Sequence, residues 1–327
     1  MGNELQMGEH RVHCHMAADL WAGVEAQLAP FFPPGQPANQ HWSVQVDTND
    51  QAFGRLLGEA NHTRHAGKDR VVVETLDHQP TACWQLDIDR HHLQLAFPAS
   101  TPLAAAVQTT YRTLRSLLIF LARQQGWHVL HASAFVHAGR CALVFGPKRA
   151  GKTSTLLWFM HHKQARYLAN DRVLVRADST RLLVHALPHA VNVRTETLAP
   201  LGFNLPTPTT GTSRINISVP ALCGWLRCDI QSEAAVDLII HPSWQAGATG
   251  QPLQHPGNPT TLLLEHLLNE VCEHQTHWNG LVEAPQPLEV AVQLPVHHVP
   301  YCSIDQLGHQ LALHMQNPGA TPQGATC

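Results

Sequence analysis

The residues that could do chemistry in this chain begin at position 146, where Gly146–Thr153 fits the phosphate-binding pattern GxxxxGK[ST]. In this pattern, glycines let backbone N–H groups point at a phosphate, and the start of the following helix adds positive potential. Lys152 would bridge the terminal phosphates, and the Thr153 hydroxyl would coordinate Mg²⁺. The sequence therefore predicts a site for a nucleoside triphosphate, ATP or GTP, with a divalent metal.

The other residues of this loop are expected to line the same site, because the pattern wraps the whole segment around the phosphates. Lys148 and Arg149 could add positive charge there, or they could be solvated tips of the loop, and the sequence does not separate these alternatives. The predicted nucleotide contacts comprise Gly146, Pro147, Lys148, Arg149, Ala150, Gly151, Lys152, Thr153 and Ser154.

Asp171 is the candidate for a second metal ligand, because Mg²⁺ prefers oxygen and one hydroxyl is not enough to hold it. It follows a short predicted strand, with Asn170 before it and Arg172 behind it. An Asn-Asp dipeptide also commonly forms a turn, so the ligand and turn interpretations both stay open.

The elements that must position these residues are a strand, the loop, a helix and a further strand. The hydrophobic pattern predicts a strand over Cys141–Phe145, a helix over Lys152–Lys163 and strands over Arg166–Ala169 and Arg172–Arg176. This order is a βαβ arrangement, in which a phosphate site lies at the carboxyl end of a strand. A hairpin turn over His137–Arg140 is predicted to lead into the first strand.

Two segments flank the loop at a characteristic spacing: His131-Ala132-Ser133-Ala134 precedes it, and Leu168–Val173 follows it. Over about His131–Val193 the chain resembles the catalytic domain of the HPr kinase/phosphorylase superfamily. The resemblance implies a fold like that of phosphoenolpyruvate carboxykinases. It also implies transfer of the terminal phosphoryl group of ATP to a serine-type hydroxyl, and some relatives modify peptide products.

Carried over by position, the resemblance implies that His131 lies beside the phosphoryl site and that Asp171 serves the metal or acts as base. The chain departs from the family at Asn170-Asp171, where two acids are usual, and at Ser154, where an acid is usual. Asparagine cannot accept the proton of a hydroxyl group. Either Asp171, aided by His131, takes that proton, or the site binds nucleotide with little transfer.

Arg194 is a further candidate, because a strand over Val191–Arg194 could direct its side chain toward the transferred phosphoryl group. The alternative is a solvated arginine on an edge strand. The expected catalytic residues are thus Asp171, His131, Lys152 and Arg194, and the expected metal ligands are Thr153 and Asp171.

Composition excludes some classes of partner. The net charge is −3 and only 14% of residues are charged, so there is no general attraction to nucleic acid or anionic lipid. The longest apolar stretch, Leu117–Ala122, is far shorter than the roughly 20 residues of a membrane span, and no secretion signal is recognisable at the N-terminus. We therefore expect a cytoplasmic protein without nucleic-acid or membrane partners.

The predicted fold class is α/β: a P-loop kinase domain of the HPr kinase/PEP carboxykinase type with a smaller N-terminal α+β domain. Residues 1–100 are assigned to the N-terminal domain, with a helix at Ala18–Leu28 and a mostly antiparallel sheet that could recognise an acceptor or partner. Residues 101–316 are assigned to the nucleotide-binding domain, which would begin with a long helix ending at Gly126. Residues 317–327 are expected to be a disordered tail.

The leading hypothesis is an ATP-dependent kinase that acts on a hydroxyl of a peptide, protein or small molecule. The alternative is a nucleotide-binding recognition or regulatory module in a peptide-modification pathway, with little or no phosphotransfer. Assembly into a homo-oligomer is a further expectation from the resemblance.

Overall fold

The computed structural model describes residues 3–35, 37–62, 69–76, 79–195, 201–202, 214–250, 252–254, 258–268, 288 and 294–316. The described residues form two compact units, one up to Gly126 and one from Trp127 onward. The predicted long helix therefore belongs to the first unit. None of the helices in the described ranges is long and apolar enough to cross a bilayer.

The first unit is a mixed sheet with three helices. Its helices are α1 Ala18–Leu28, α2 Asp50–His62 and α3 Leu103–Gln124. Its strands are β1 Glu4–Met7, β2 His10–His15, β3 Gln40–Thr48, β4 Asp69–Leu76, β5 Gln79–Asp87 and β6 His92–Phe97, in the spatial order β1-β2-β3-β6-β5-β4.

The sheet is mostly antiparallel, as expected, in three of its five strand pairings, but it also contains two parallel pairings. Strands β2, β3 and β6 run parallel, and the other pairings are antiparallel. The physical reason is the connection: α1 carries the chain from β2 back to the start of β3, and such a crossover places consecutive strands in parallel. The bounds predicted for α1 are confirmed. Helix α3 ends at Gln124, two residues before the predicted Gly126, whose φ of +79° is the left-handed turn expected after the helix.

The second unit contains the P-loop. Its helices are α4 Lys152–Lys163, α5 Val219–Leu226, α6 Pro259–Leu264 and α7 Ile304–Gln316. Its strands are β7 His128–Leu130, β8 Ser133–His137, β9 Arg140–Val144, β10 Arg166–Ala169, β11 Val173–Ala177, β12 Leu182–Ala186, β13 Val191–Arg194, β14 Arg214–Ile217, β15 Glu233–Trp244, β16 Leu253–Gln254, β17 Leu267–Leu268 and β18 Val296–Tyr301.

The large sheet of this unit has the order β10-β8-β9-β15-β12-β11-β7-β17, with β18 beside β15 and β16 beside β18. The predicted hairpin is confirmed: β8 and β9 pair around Ala138 and Gly139, which have φ values of +49° and +77°. Because β10 pairs with β8 in the antiparallel sense, β9 and β10 run in the same direction with β8 between them.

On its other side, β9 pairs in parallel with β15, and β15 pairs in parallel with β18. The carboxyl ends of β9, β10, β15 and β18 therefore lie along one edge of the sheet. In open α/β sheets, ligands bind at this edge.

Helix α4 is held between the sheet and α7. Phe159 stacks on Phe135 of β8, with ring centroids 4.3 Å apart. Trp158 is fully buried, and its Nε1 donates to Asp305 Oδ1 of α7 at 2.8 Å. The Trp158 ring lies directly over Gly308, where a β-carbon would overlap it.

We predict that Gly308→Ala destabilises the second unit by about 1–3 kcal/mol, because the added methyl group must displace a buried indole. The control is Gly224→Ala in α5, where the glycine is exposed and a β-carbon would meet open space. That change should stabilise its helix by up to ~1 kcal/mol. Calorimetric unfolding of the two variants measures both effects, and equal shifts in Tm would contradict the prediction.

Candidate functional site

The loop between β9 and α4 has the backbone that a phosphate cradle requires. Gly146, Arg149 and Gly151 have φ values of +138°, +71° and +102°. A side chain at Gly146 would press on His241, and one at Gly151 would overlap Tyr301. The glycines are therefore needed both for their dihedral angles and for the close approach of neighbouring side chains.

Lys152 is buried at the start of α4, and its ammonium group folds back on the loop. Its Nζ donates to the carbonyl oxygens of Gly146 at 2.8 Å and Pro147 at 3.1 Å. Burial lowers the pKa of Lys152, and the nearby Asp171 carboxylate acts in the opposite direction. Since both acceptors are neutral carbonyls, an anion in the loop would compete well for this ammonium group.

A buried asparagine holds the hydroxyl group of Thr153. Asn170, at the end of β10, is 2% exposed, and its Oδ1 accepts hydrogen bonds from Thr153 Oγ1 at 2.9 Å and Ser133 Oγ at 3.0 Å. The carbonyl oxygen thereby uses both of its lone pairs. Because the Thr153 hydrogen points at Asn170, the lone pairs of the Thr153 oxygen stay available to another ligand.

Asp171 lies between two imidazole rings. It has a φ of +67°, and its side chain is 47% exposed. His131 Nε2 lies 3.3 Å from Asp171 Oδ1, and His189 Nε2 lies 3.5 Å from Asp171 Oδ2. The pKa of Asp171 is lowered, mainly by the hydrogen bond from His131, with help from the charges of His189 and Arg172 against the opposing effect of burial. The group is thus a stable carboxylate.

The structure brings His131, Lys152, Thr153 and Asp171 together at the carboxyl edge of the sheet. Arg194 ends β13, in a separate two-stranded sheet where it pairs with Arg214.

The other predicted contact residues follow the course of the loop. Ala150 is a buried residue of the loop itself. Ser154 lies in the first turn of α4 and is partly exposed. Pro147, Lys148 and Arg149 are exposed at its tip. Their side chains are therefore open to solvent.

Several residues at this site had no predicted role. His189 reaches Asp171 from the segment after β12, and Tyr301 of β18 donates its hydroxyl hydrogen to Ala150 O at 3.2 Å. The backbone carbonyl oxygen of His266 accepts a hydrogen bond from the backbone N–H of His131 at 2.9 Å. Burial and the Lys152 charge lower the pKa of the His266 ring. Tyr301 is the last residue of β18, whereas His189 lies in the segment between β12 and β13 and no sequence signal marks it.

The donor set fits Mg²⁺ of the kind that accompanies a nucleotide. Within the described ranges, no group of three or more His, Cys, Asp or Glu side chains is arranged to hold a metal by itself. Mg²⁺ bound with a nucleotide, however, takes most of its ligands from phosphates and water. The oriented Thr153 oxygen suits that role, and Asp171 is the adjacent carboxylate.

Comparisons with known proteins give one distant structural similarity and no match at the level of sequence. No protein-family model matches the chain, and no curated protein matches it. Among solved structures, the HPr(Ser) kinase/phosphatase from Coxiella burnetii is similar, with 16% sequence identity and a TM-score of 0.33 over 58% of this chain and 95% of that chain. This is a distant structural similarity, and it carries no conclusion about activity.

Proposed function

We propose that this chain binds a nucleoside triphosphate with Mg²⁺ at Gly146–Ser154 and transfers the terminal phosphoryl group to a serine-type hydroxyl of a peptide, protein or small molecule. The observation that carries the proposal is the placement of Asp171, a carboxylate held between two imidazoles, directly after the asparagine that binds the Thr153 hydroxyl. The loop Gly146–Thr153 and the Asp171 carboxylate thus lie at one edge of the sheet, which supports the proposal.

Phosphate binding would use groups that are already in place. Backbone N–H groups of the loop and the start of α4 would bind the β-phosphate, and Lys152 would exchange its two carbonyl acceptors for phosphate oxygens. Bound Mg²⁺ would neutralise charge that develops on the phosphate oxygens, with Thr153 as a protein ligand. The buried Ser133–Asn170–Thr153 network keeps that ligand in one orientation.

In the transfer step, the acceptor oxygen forms a bond to the terminal phosphorus while the bond to the bridging oxygen breaks, and the nucleoside diphosphate leaves. Asp171 accepts the hydroxyl proton, and His131 and His189 orient its carboxylate. A carboxylate with a lowered pKa is a weak base. It suffices here because phosphoryl transfer passes through a loose transition state and depends more on positioning and charge neutralisation than on early removal of the proton.

A second candidate function is a nucleotide-binding recognition or regulatory module, which Asn170 favours. Its neutral amide stands where the resemblance leads one to expect an acid, so the metal side of the site carries one carboxylate fewer. Its oxygen is also fully hydrogen-bonded without any nucleotide. In this case nucleotide binding would be the functional event, and no phosphoryl group would move.

The two candidates differ in whether phosphate is transferred. The purified chain is incubated with γ-labelled ATP, Mg²⁺ and a set of hydroxyl acceptors, namely free serine, free threonine and mixed serine- and threonine-containing peptides. Label in an acceptor supports the kinase. Tight ATP binding with no labelled product supports the module, and absence of ATP binding contradicts both.

We predict that Lys152→Ala weakens ATP binding by at least 100-fold and abolishes transfer, because the loop loses its buried phosphate-binding cation. Lys163→Ala is the matched control, since Lys163 ends the same helix and packs over Trp158. It should leave ATP affinity unchanged. Titration calorimetry measures both variants, and equal affinity in the Lys152 variant would remove the loop from the proposed site.

We predict that Asp171→Asn lowers the transfer rate by about 10²–10⁴-fold while ATP affinity falls much less, because the amide cannot accept the proton. Asp178→Asn is the control, since Asp178 lies in an exposed turn and caps Thr180 and Arg181. Rates with γ-labelled ATP compare the two variants. Unchanged turnover in the Asp171 variant would exclude it as the proton acceptor.

We predict that Asn170→Asp lowers the Mg²⁺ concentration needed for half-maximal ATP binding by about ten-fold. The carboxylate can accept the same two hydroxyl hydrogen bonds and adds a negative charge beside Thr153. Asn192→Asp, on an exposed position of β13, is the control for added charge alone. If the Mg²⁺ requirement of the Asn170 variant stays the same or rises, the missing charge does not limit the site.

A further inference from the structure

Trp244, the last residue of β15, is the most exposed large hydrophobic residue in the described part of the chain, with 65% of its surface accessible. Single exposed hydrophobic side chains are common on protein surfaces, so exposure alone does not indicate a binding site. The position of Trp244 in the sheet separates it from such cases.

Trp244 lies beside the residue that touches the P-loop. In the parallel pairing of β15 and β18, Trp244 is the register partner of Tyr301. Register partners on neighbouring strands are about 4.8 Å apart and face the same side of the sheet. The Tyr301 hydroxyl in turn donates to Ala150 O, and its ring fills the space next to Gly151. The backbone of Trp244 is therefore one strand spacing from Tyr301, whose side chain reaches the end of the loop where α4 begins.

The backbone around Trp244 is held in place. Gln245 N donates to Tyr301 O at 2.8 Å, and Gly250 N donates to Pro300 O at 3.1 Å, so both ends of the following loop are tied to β18. Within that loop, Ala248 N donates to Gln245 O at 3.2 Å. An exposed ring on a fixed backbone loses little conformational freedom when a ligand packs on it.

From this placement we propose that Trp244 is the stacking platform for the base of the nucleotide whose phosphates occupy the P-loop. The inference rests on the proposed nucleotide binding and adds the residue that holds the base. A base tethered by its phosphates to the loop is brought to this edge of the sheet, and every base offers a flat π-face to an indole. Stacking does not distinguish bases by hydrogen bonds, so the site should accept ATP and GTP within a few-fold of one another.

The test compares ligands with and without a base. Calorimetric titrations of the full chain use ATP, GTP and inorganic tripolyphosphate, each with Mg²⁺, against the unmodified protein, Trp244→Ala and Trp244→Phe. Trp225→Ala is the matched control, because Trp225 is 40% exposed on α5 of the same unit. Thermal unfolding and size-exclusion chromatography of each variant accompany the titrations.

The expected result is that Trp244→Ala weakens ATP and GTP binding by about 5- to 100-fold, the range of a lost stacking interaction. Tripolyphosphate binding should be unchanged, Trp244→Phe should retain most of the affinity for ATP, and Trp225→Ala should have no effect. Loss of ATP affinity together with an equal loss for tripolyphosphate would overturn the proposal, because the variant would then have damaged the loop.

Other outcomes separate this inference from the proposed function. If tripolyphosphate and ATP bind the Trp244→Ala variant as well as the unmodified chain, the base is held elsewhere, and the P-loop site still stands. If that variant instead changes its apparent mass with unchanged ATP affinity, Trp244 contacts a second copy of the chain, and the proposal is wrong. If the unmodified chain binds neither ligand, the proposed function fails and this inference fails with it.

Discussion

The site depends on one buried acceptor, the side-chain oxygen of Asn170. It receives hydrogen bonds from Ser133 on β8 and from Thr153 in the first turn of α4, while Asn170 itself directly follows β10. A buried carbonyl oxygen without partners would be costly, and here both lone pairs are used. Three separate elements are thereby fixed at the point where phosphates and metal would bind. Because Asp171 is the next residue in the chain, the same contacts also fix where its backbone begins.

Around this contact the charges are few and are balanced locally. Lys152 provides a buried cation whose acceptors are backbone carbonyls, and Asp171 provides a carboxylate whose neighbours are imidazoles. His241 stacks on Phe145, and a side chain at Gly146 of the loop would press on His241. The site therefore combines a buried ammonium group, Lys152, with a half-exposed carboxylate, Asp171, that two imidazoles hold in place.

The sheet explains how distant segments reach this place. Because β9, β15 and β18 run parallel, the P-loop, Trp244 and Tyr301 all lie at the carboxyl ends of neighbouring strands. The antiparallel insertion of β8 between β9 and β10 brings Ser133 beneath Asn170. The long strand β15 joins this region to the rest of the sheet, since its first residues pair with β12 and its later residues with β9 and β18.

The sequence by itself determined the features that depend on neighbouring residues: the bounds of α1 and α4, the hairpin at Ala138-Gly139, and the glycines of the phosphate loop. Periodicity, turn chemistry and positive φ angles are properties of short segments, so they can be recognised without the fold. Only the tertiary structure decided that His189 faces Asp171, that Ser133 shares an acceptor with Thr153, and that Tyr301 supports the loop. These contacts join residues far apart in the chain, and strand order, which arises from long-range pairing and burial, brings them together. For the same reason, the mixed direction of the strands in the first unit was not predicted from local pattern.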